Sequence, residues 1–342
     1  MDSRTPSFHG KAVALAALAA LVALAGCGKK PAAPQATPGQ DGEAPAAVGQ
    51  PALPAKPLPP GPPEIWKLFS GEKAFEEMRK QVEVGPRPAG SPELEKARAL
   101  IEAGLKREGW DVERQTFTAQ TPRGPMPMVN VIGRFSPTGA KPAQTGTQQA
   151  IVCSHYDTKR FSAIQFLGAN DAGSSTGALI ELARVLALDP ALAMKVELVF
   201  FDGEEAVVQF NETDGLYGSR HYASQLRATG RAQQFKFGIL WDMIGDRDFK
   251  ITLPPDSPPE LARGIIASAE ALGVRDRFGY HDRSVYDDHV PLNTIAKIPS
   301  IDLIDFDYLY WHTADDKLDR VAPEGLEKTG AVTLHYLRQT LK

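Results

Sequence analysis

Segments that are apolar throughout alternate with segments of helical pattern over most of this chain. The apolar segments are residues 128–135, 150–155, 195–201, 235–245 and 298–304. Strands that are buried on both faces have this composition, because the helices that connect parallel strands cover both faces of the sheet. The alternation predicts a single α/β domain with a mostly parallel central sheet and helices on both faces.

The first clear helix, at residues 91–109, has recognisable ends. Ser91 is suited to cap its N-terminus, Pro92 fits the first turn, and Gly109 ends it. Further helical patterns cover residues 172–188, 217–228, 259–273 and 324–341. Each of these four follows an apolar segment along the chain, as alternating β and α units require.

The charge of the chain excludes one class of partner. The 342 residues have a formal net charge of -4 and near-average composition. No basic stripe is present that could neutralise a phosphate backbone, so we expect no binding to nucleic acid.

Residues 1–27 have the pattern of a secretion signal. Arg4 and Lys11 precede an apolar run that is too short for a comfortable membrane span. The run ends in Leu-Ala-Gly-Cys, which resembles the lipobox of bacterial lipoproteins, in which the cysteine is lipidated. We expect Cys27 to anchor the protein to a membrane of the bacterial cell envelope, with the folded domain facing the periplasm or the exterior. The alternative is an ordinary signal peptide that happens to contain Cys27.

Residues 28–63 are rich in proline and alanine and have few groups to bury, which predicts a disordered linker. The folded domain is expected at residues 64–342, a length that suits one α/β domain, and we expect it to be monomeric. After lipidation of Cys27, Cys153 is the remaining thiol. Its apolar neighbours indicate an inert buried cysteine.

Carboxylates and imidazoles stand where the predicted strands end. They are His155, Asp157, Asp171, Glu204, Glu205, Asp242 and His312. In an open α/β sheet, ligands bind beyond the carboxyl ends of the strands, so we expect these side chains to share one edge. Several converging carboxylates are costly to bury without a cation, and a mixed set of imidazole and carboxylate ligands suits zinc.

Each of these motifs also has an ordinary interpretation when taken alone. His155 could be a core histidine bonded to an acid, and Asp171 could belong to an Asx turn or cap a helix. Glu204 and Glu205 could lie on a solvated turn, and His312 on a surface loop. Their occurrence at successive strand ends favours the metal site.

The motifs in their order resemble the zinc-dependent aminopeptidase superfamily and, within it, the animal-type glutaminyl-peptide cyclotransferases. The resemblance runs from about residue 69 to the C-terminus. It is carried by "SHYDTK", "GANDAGSSTGALIELAR", "FFDGEEA", "LYGSRH", "DDHVPL" and "WHTADD". It implies that residues 64–342 form a zinc-dependent catalytic domain.

The resemblance also implies a role for each site residue. The zinc ligands fall on Asp171, Glu205 and His312, and the general base falls on Glu204. Asp242 and Asp287 match carboxylates of an acidic hydrogen-bond network in the cyclases. His155 and Asp242 match ligands of a second zinc in the aminopeptidases, with Asp157 orienting His155. Asp202, by contrast, is interpreted as a structural residue that caps the turn after its strand.

The expected activity is cyclisation of N-terminal glutamine of peptides to pyroglutamate with release of ammonia, using one zinc ion. Residues 206–217 resemble the active-site loop of the cyclases, and Trp311 matches a wall of their glutamine pocket, although plain packing is its alternative. Phe210 stands where the animal enzymes have another pocket tryptophan, and Asp302 where they have a histidine. The alternatives are an aminopeptidase with two zinc ions and a binding module without catalysis; the intact set of Glu204 and metal ligands argues against the latter.

Overall fold

The computed structural model describes residues 60–136 and 148–341. The described residues belong to one compact unit, Lys56–Lys342. The predicted signal at residues 1–27, its Cys27, and nearly all of the predicted linker lie outside the described residues.

Eight strands of the described residues form one sheet. They are β1 (Trp110–Thr121), β2 (Gly124–Phe135), β3 (Ala150–His155), β4 (Val196–Phe201), β5 (Phe237–Asp242), β6 (Ile251–Leu253), β7 (Phe278–Tyr280) and β8 (Ser300–Ile304). Their order across the sheet is β1-β2-β4-β3-β5-β8-β6-β7. The central strands β4, β3, β5 and β8 run parallel, as predicted. Both edges of the sheet include antiparallel pairs, so the whole sheet is mixed.

The helices cover both faces of this sheet. They are α1 (Gly71–Glu83), α2 (Pro92–Arg107), α3 (Ser175–Leu186), α4 (Pro190–Ala193), α5 (Tyr217–Ala228), α6 (Pro259–Ala271), α7 (His289–Pro291) and α8 (Pro323–Thr340). Ser91 caps α2 by accepting a hydrogen bond from the Leu94 amide at 3.1 Å, as predicted. Gly109, with φ of 81°, follows the end of α2.

Two apolar clusters hold the layers together. On one face, Val152, Leu198 and Ile239 of the central strands pack with residues of α2, α3, α6 and α8. On the other face, Cys153 and Leu240 pack with residues of α5. All residues of β3, β4, β5 and β8 are buried, which explains why most of their residues are apolar. Burial raises the pKa of the Cys153 thiol well above its usual value, as expected for an inert cysteine.

Asp202, at the end of β4, connects elements of the fold. Its Oδ2 accepts hydrogen bonds from Arg98 Nη2 of α2 at 2.9 Å and from the Val129 amide of β2 at 2.8 Å. The carboxylate therefore joins a helix and a neighbouring strand. The sequence interpretation as a cap of its own turn was wrong in this detail, because the partners of Asp202 come from distant segments.

None of the helices in the described part of the chain has both the length and the apolar character that a membrane crossing requires.

Candidate active site and metal centre

The candidate site lies at the carboxyl ends of the parallel strands. His155 and Asp242 are the last residues of β3 and β5, and Glu204 and Glu205 follow β4 after a short turn. Asp171 lies in the turn that leads into α3, and His312 lies in the loop after β8. The topology therefore brings residues that are far apart in sequence to one edge of the sheet.

The three residues expected to bind zinc converge. His312 Nε2 lies 2.8 Å from Glu205 Oε1 and 3.4 Å from Asp171 Oδ2. One ligand atom from each residue lies within 4.8 Å of the other two. This spacing is suited to a single divalent cation between them.

Asp171, Glu205 and His312 form a first group of possible metal ligands. A second group, formed by His155, Asp171 and Asp242, shares Asp171 with the first. His155 Nε2 lies 3.3 Å from Asp171 Oδ1 and 3.4 Å from Asp242 Oδ1. The two oxygens of Asp171 thus point to different groups, which is the arrangement that a shared ligand of two metal positions would need.

Unpaired buried atoms show that the donor set fits a cation. His155 Nδ1 and Nε2, Asp171 Oδ2 and Asp242 Oδ1 are buried and have no hydrogen-bond partner within residues 60–136 and 148–341. Leaving such atoms without partners is costly, and a bound cation would satisfy them. Imidazole nitrogen and carboxylate oxygen are ligands that zinc accepts.

The imidazoles have a strongly perturbed pKa. Burial lowers the pKa of His312, but its contacts with Asp171 and Glu205 raise it to about 10. His155 is likewise raised well above its usual pKa by Asp157, Asp171 and Asp242, against the effect of burial. Because a ligand imidazole must be neutral, a cation has to displace a proton from His312 when it binds.

Asp157 was expected to orient His155, but its hydrogen bonds go to the backbone of the two glutamates. His155 Nδ1 lies 3.5 Å from Asp157 Oδ1. The same carboxylate accepts the amide N–H of Glu204 at 3.1 Å and that of Glu205 at 3.3 Å. Asp157 therefore fixes the backbone that carries both glutamates.

Asp316 is a site residue that the sequence reasoning missed. Its buried carboxylate accepts the amides of Asn170 at 2.8 Å and Asp171 at 3.1 Å, and the hydroxyl of Tyr308 at 2.9 Å. These bonds hold the loop of His312 against the turn of Asp171. The residue stands in the "WHTADD" motif, but nothing in that motif shows that its partners come from the turn before α3.

Glu204 lies beside the first group without belonging to it. Its carboxylate lines the pocket described below. Burial raises the pKa of Glu204 well above its usual value, and the charges of Glu205 and Asp287 add to the effect of burial. A carboxyl with a raised pKa is suited to take up and release a proton near neutral pH.

A pocket of about 360 Å³ opens next to these groups. It is lined by Lys159, Asp171, Glu204, Glu205, Phe210, Asp242, Met243, Ser284, Val285, Tyr286, Asp287, Ile304, Phe306, Trp311 and His312. Trp311 and Phe210, expected as pocket walls, both line it. The Trp311 ring also stacks on His312, with ring centroids 4.4 Å apart. Acids at the base and aromatic rings at the walls suit a ligand with an amine and an apolar body.

Lys159 is the single lysine or arginine among the described residues that line this pocket. Its ammonium lies 3.1 Å from Glu205 Oε2, whereas Glu205 Oε1 faces His312. Lys159 therefore forms an ion pair with Oε2 of Glu205, the oxygen that does not face His312. Lys159 is part of the "SHYDTK" motif, but the motif does not indicate that the partner of this lysine is Glu205.

A set of buried carboxyls includes two residues that line the pocket, Asp242 and Asp287. It contains Asp242, Asp287, Asp288 and Asp302. Burial raises the pKa of each, and the neighbouring carboxylates raise it further. The set thus contains Asp242 and Asp287, the two expected members of an acidic network, together with Asp302.

The fold and the two overlapping groups define a metal-dependent α/β enzyme. The family model that matches is Peptidase family M28, over residues 130–337.

Known cyclases extend the match over most of the chain. The glutaminyl-peptide cyclotransferase-like protein of Bos taurus is 30% identical over 284 residues, which cover 75% of this chain and 72% of that protein. A glutaminyl cyclase structure from an Acidobacteriales bacterium has 33% identity and a TM-score of 0.70, covering 85% of this chain and 98% of its own. The Porphyromonas gingivalis glutaminyl cyclase has 27% identity and a TM-score of 0.71, covering 80% and 99%. The chain therefore belongs to the glutaminyl-peptide cyclotransferases within peptidase family M28, which confirms the resemblance drawn from its motifs.

Proposed function

We propose that this protein converts N-terminal glutamine of peptides to pyroglutamate and releases ammonia. The observation that carries the proposal is the position of Glu204. This carboxyl lies next to the Asp171, Glu205 and His312 group but outside it, in a pocket walled by Phe210 and Trp311. It is therefore free to move a proton beside the group that would hold the metal.

The reaction needs a proton carrier and a folded substrate. The α-nitrogen of the glutamine forms a bond to the γ-carbonyl carbon, and the bond from that carbon to the amide nitrogen breaks. Glu204 takes a proton from the α-amine and delivers it to the leaving nitrogen, which departs as ammonia. Zinc, when bound, supplies Lewis acidity toward the γ-carbonyl oxygen. Asp242 and Asp287 accept hydrogen bonds from the α-amine, and the pocket rings favour the bent conformer of the side chain.

One zinc ion per chain is proposed, held by Asp171, Glu205 and His312. The contacts of Asp157 support this number, because its nearest oxygen lies 3.5 Å from His155 Nδ1 and so does not hold His155 by a close hydrogen bond, as the partner of a zinc-binding histidine would. The aminopeptidase alternative would place a second zinc at His155, Asp171 and Asp242, which do converge.

Two substrates separate these activities. The purified protein is incubated with a peptide that begins with glutamine and, separately, with leucine p-nitroanilide. We expect release of ammonia from the peptide and negligible release of nitroaniline. Rapid release of nitroaniline without ammonia would show that the protein is an aminopeptidase.

The proposed location is the bacterial cell envelope, with Cys27 lipidated. The sequence pattern of residues 1–27 supports it. In cells fed an alkyne fatty acid, the wild-type chain should be labelled and sediment with membranes, whereas Cys27→Ser should be unlabelled. A wild-type chain that is unlabelled and soluble would show that residues 1–27 are an ordinary signal peptide.

A further inference from the structure

The loop between Glu205 and α5 is folded around one buried carboxylate, that of Asp214. Asp214 Oδ1 accepts the Val207 amide at 2.8 Å, and Oδ2 accepts the amides of Val208 at 2.9 Å and Gln209 at 2.8 Å. The hydroxyl of Tyr217 donates a fourth hydrogen bond at 2.8 Å. Three consecutive amides converge on a single side chain only if the backbone bends around it.

This loop forms one wall of the pocket. Phe210 directly follows the three bonded amides, lines the pocket, and contacts Tyr286 edge to face at 6.0 Å. The ring also lies on Gly215, where an added Cβ would come within 2.7 Å of it. Beyond Gly215, the Leu216 amide donates to the Glu204 carbonyl at 2.7 Å. The loop is therefore attached at one end to the proposed general base and presents Phe210 from its centre.

We propose that Asp214 is a positioning residue that holds Phe210 over the glutamine pocket. The inference rests on the proposed function, because it assigns Phe210 to the binding of the substrate side chain. Asp214 touches neither the substrate nor the metal group. It acts by bending residues 207–209 so that the next side chain points into the pocket.

The charge of Asp214 is essential to this role. Burial raises the pKa of Asp214, but the hydrogen bonds from Gln209, Val207 and Val208 lower it below its usual value, so it is ionised at neutral pH. An asparagine has one acceptor oxygen, and its amide group would face further N–H donors. Asp214→Asn should therefore release the amides and let Phe210 leave the pocket.

The test is a double-mutant cycle with Phe210→Ala, measured with a glutamine-initiated peptide. Asp214→Asn should raise KM about tenfold with less than about a twofold change in kcat, because it removes a contact made equally in ground and transition states. Phe210→Ala should raise KM similarly, and the double variant should match Phe210→Ala alone. Additive effects, or a fall in kcat at unchanged KM, would overturn the proposal.

Two further variants serve as a control and as a substitute for Asp214→Asn. Glu212→Gln removes a charge from the exposed part of the same loop and should leave both constants unchanged. If Asp214→Asn does not fold, Tyr217→Phe can be used instead, because it removes one of the four hydrogen bonds to Asp214. Tyr217→Phe should raise KM about threefold in the wild-type background and have no effect in the Phe210→Ala background. An additive effect of Tyr217→Phe would also overturn the proposal.

Amide hydrogen exchange separates this inference from the proposed function. The amides of residues 207–209 should exchange at least about tenfold faster in Asp214→Asn than in the wild type, and equally in Glu212→Gln. Unchanged exchange in Asp214→Asn overturns the inference whatever the enzyme does. A wild-type protein that releases no ammonia from any glutamine peptide would instead refute the proposed function.

Discussion

The different roles proposed for two adjacent glutamates rest on the different neighbours of their side chains. Glu205 Oε1 faces His312 and its Oε2 faces Lys159, whereas Glu204 faces the pocket and its backbone amide is held by Asp157. Both residues follow the same strand, so their spacing alone does not distinguish ligand from base. The assignment came from the resemblance; the structure places Glu205 in the converging group with Asp171 and His312, and Glu204 in the lining of the pocket.

Replacement of Glu204 by glutamine should stop turnover without loss of metal. The variant keeps the size of the side chain but carries no transferable proton, and general acid–base catalysis contributes about 10²–10⁴-fold in rate. We expect at least about a hundredfold fall in kcat, with the zinc content of the wild type. Measurement of kcat and of metal content by mass spectrometry checks both parts. Loss of the metal in Glu204→Gln would show that the roles of the two glutamates are exchanged.

Replacement of Lys159 by methionine should tighten zinc binding. The ammonium 3.1 Å from Glu205 Oε2 opposes the approach of a cation, and methionine keeps much of the apolar volume without the charge. We expect several-fold higher zinc affinity in competition with a chelator, and wild-type affinity for Lys159→Arg. Lys96→Met, at an exposed site, serves as the control. Lower affinity in Lys159→Met would mean that Lys159 orders Glu205 rather than opposing the cation.

At the scale of elements, the apolar central strands and the helices between them could be predicted from periodicity. Strand β1 could not be predicted in this way, because it lies at the edge of the sheet and most of its residues are polar and at least partly exposed. The site residues could be placed because they follow strands that a parallel sheet aligns. Asp214 and Asp316 could not be assigned, because their roles depend on backbone amides brought close by the folding of loops.

Removal of the Asp316 carboxylate should loosen the metal group and destabilise the fold. Asp316→Ala leaves the amides of Asn170 and Asp171 and the Tyr308 hydroxyl without partners, at a cost of about 1–3 kcal/mol for each buried group. We expect a lower melting temperature and about 10–100-fold weaker zinc binding, as for other supports of metal ligands. Thermal unfolding and chelator competition measure the two effects. Asp315→Asn, a change at the exposed neighbouring residue, should alter neither the melting temperature nor the zinc affinity. An Asp316→Ala chain with wild-type zinc affinity would show that Asp316 does not hold the metal ligands in place.

At the scale of the whole molecule, the buried charges predict how stability responds to pH. In the metal-free chain, burial raises the pKa of Asp305 to about 7, so folding favours its protonated form and stability is lost as pH rises toward 7. The pKa of His312 is raised to about 10 by Asp171 and Glu205, so its stabilising charge is lost as pH rises through that value. Zinc binding, which displaces protons from its ligands, strengthens over the same range.

The metal-free and zinc-loaded proteins should therefore respond to pH in opposite directions. Between about pH 6.5 and about pH 8, we expect the melting temperature to fall by a few degrees after treatment with a chelator and to rise with excess zinc. Differential scanning calorimetry of both forms at the two pH values measures this. A change of the same sign in both forms would show that the metal does not bind at the protonated ligand group.

Mass spectrometry of a glutamine-initiated peptide after incubation with the purified zinc-loaded protein decides between cyclisation and hydrolysis in one spectrum. We predict a product lighter than the peptide by one molecule of ammonia, with every residue retained, and no such product with Glu204→Gln. A peptide shortened by its first residue would contradict the account, because water rather than the α-amine of the substrate would then be the nucleophile.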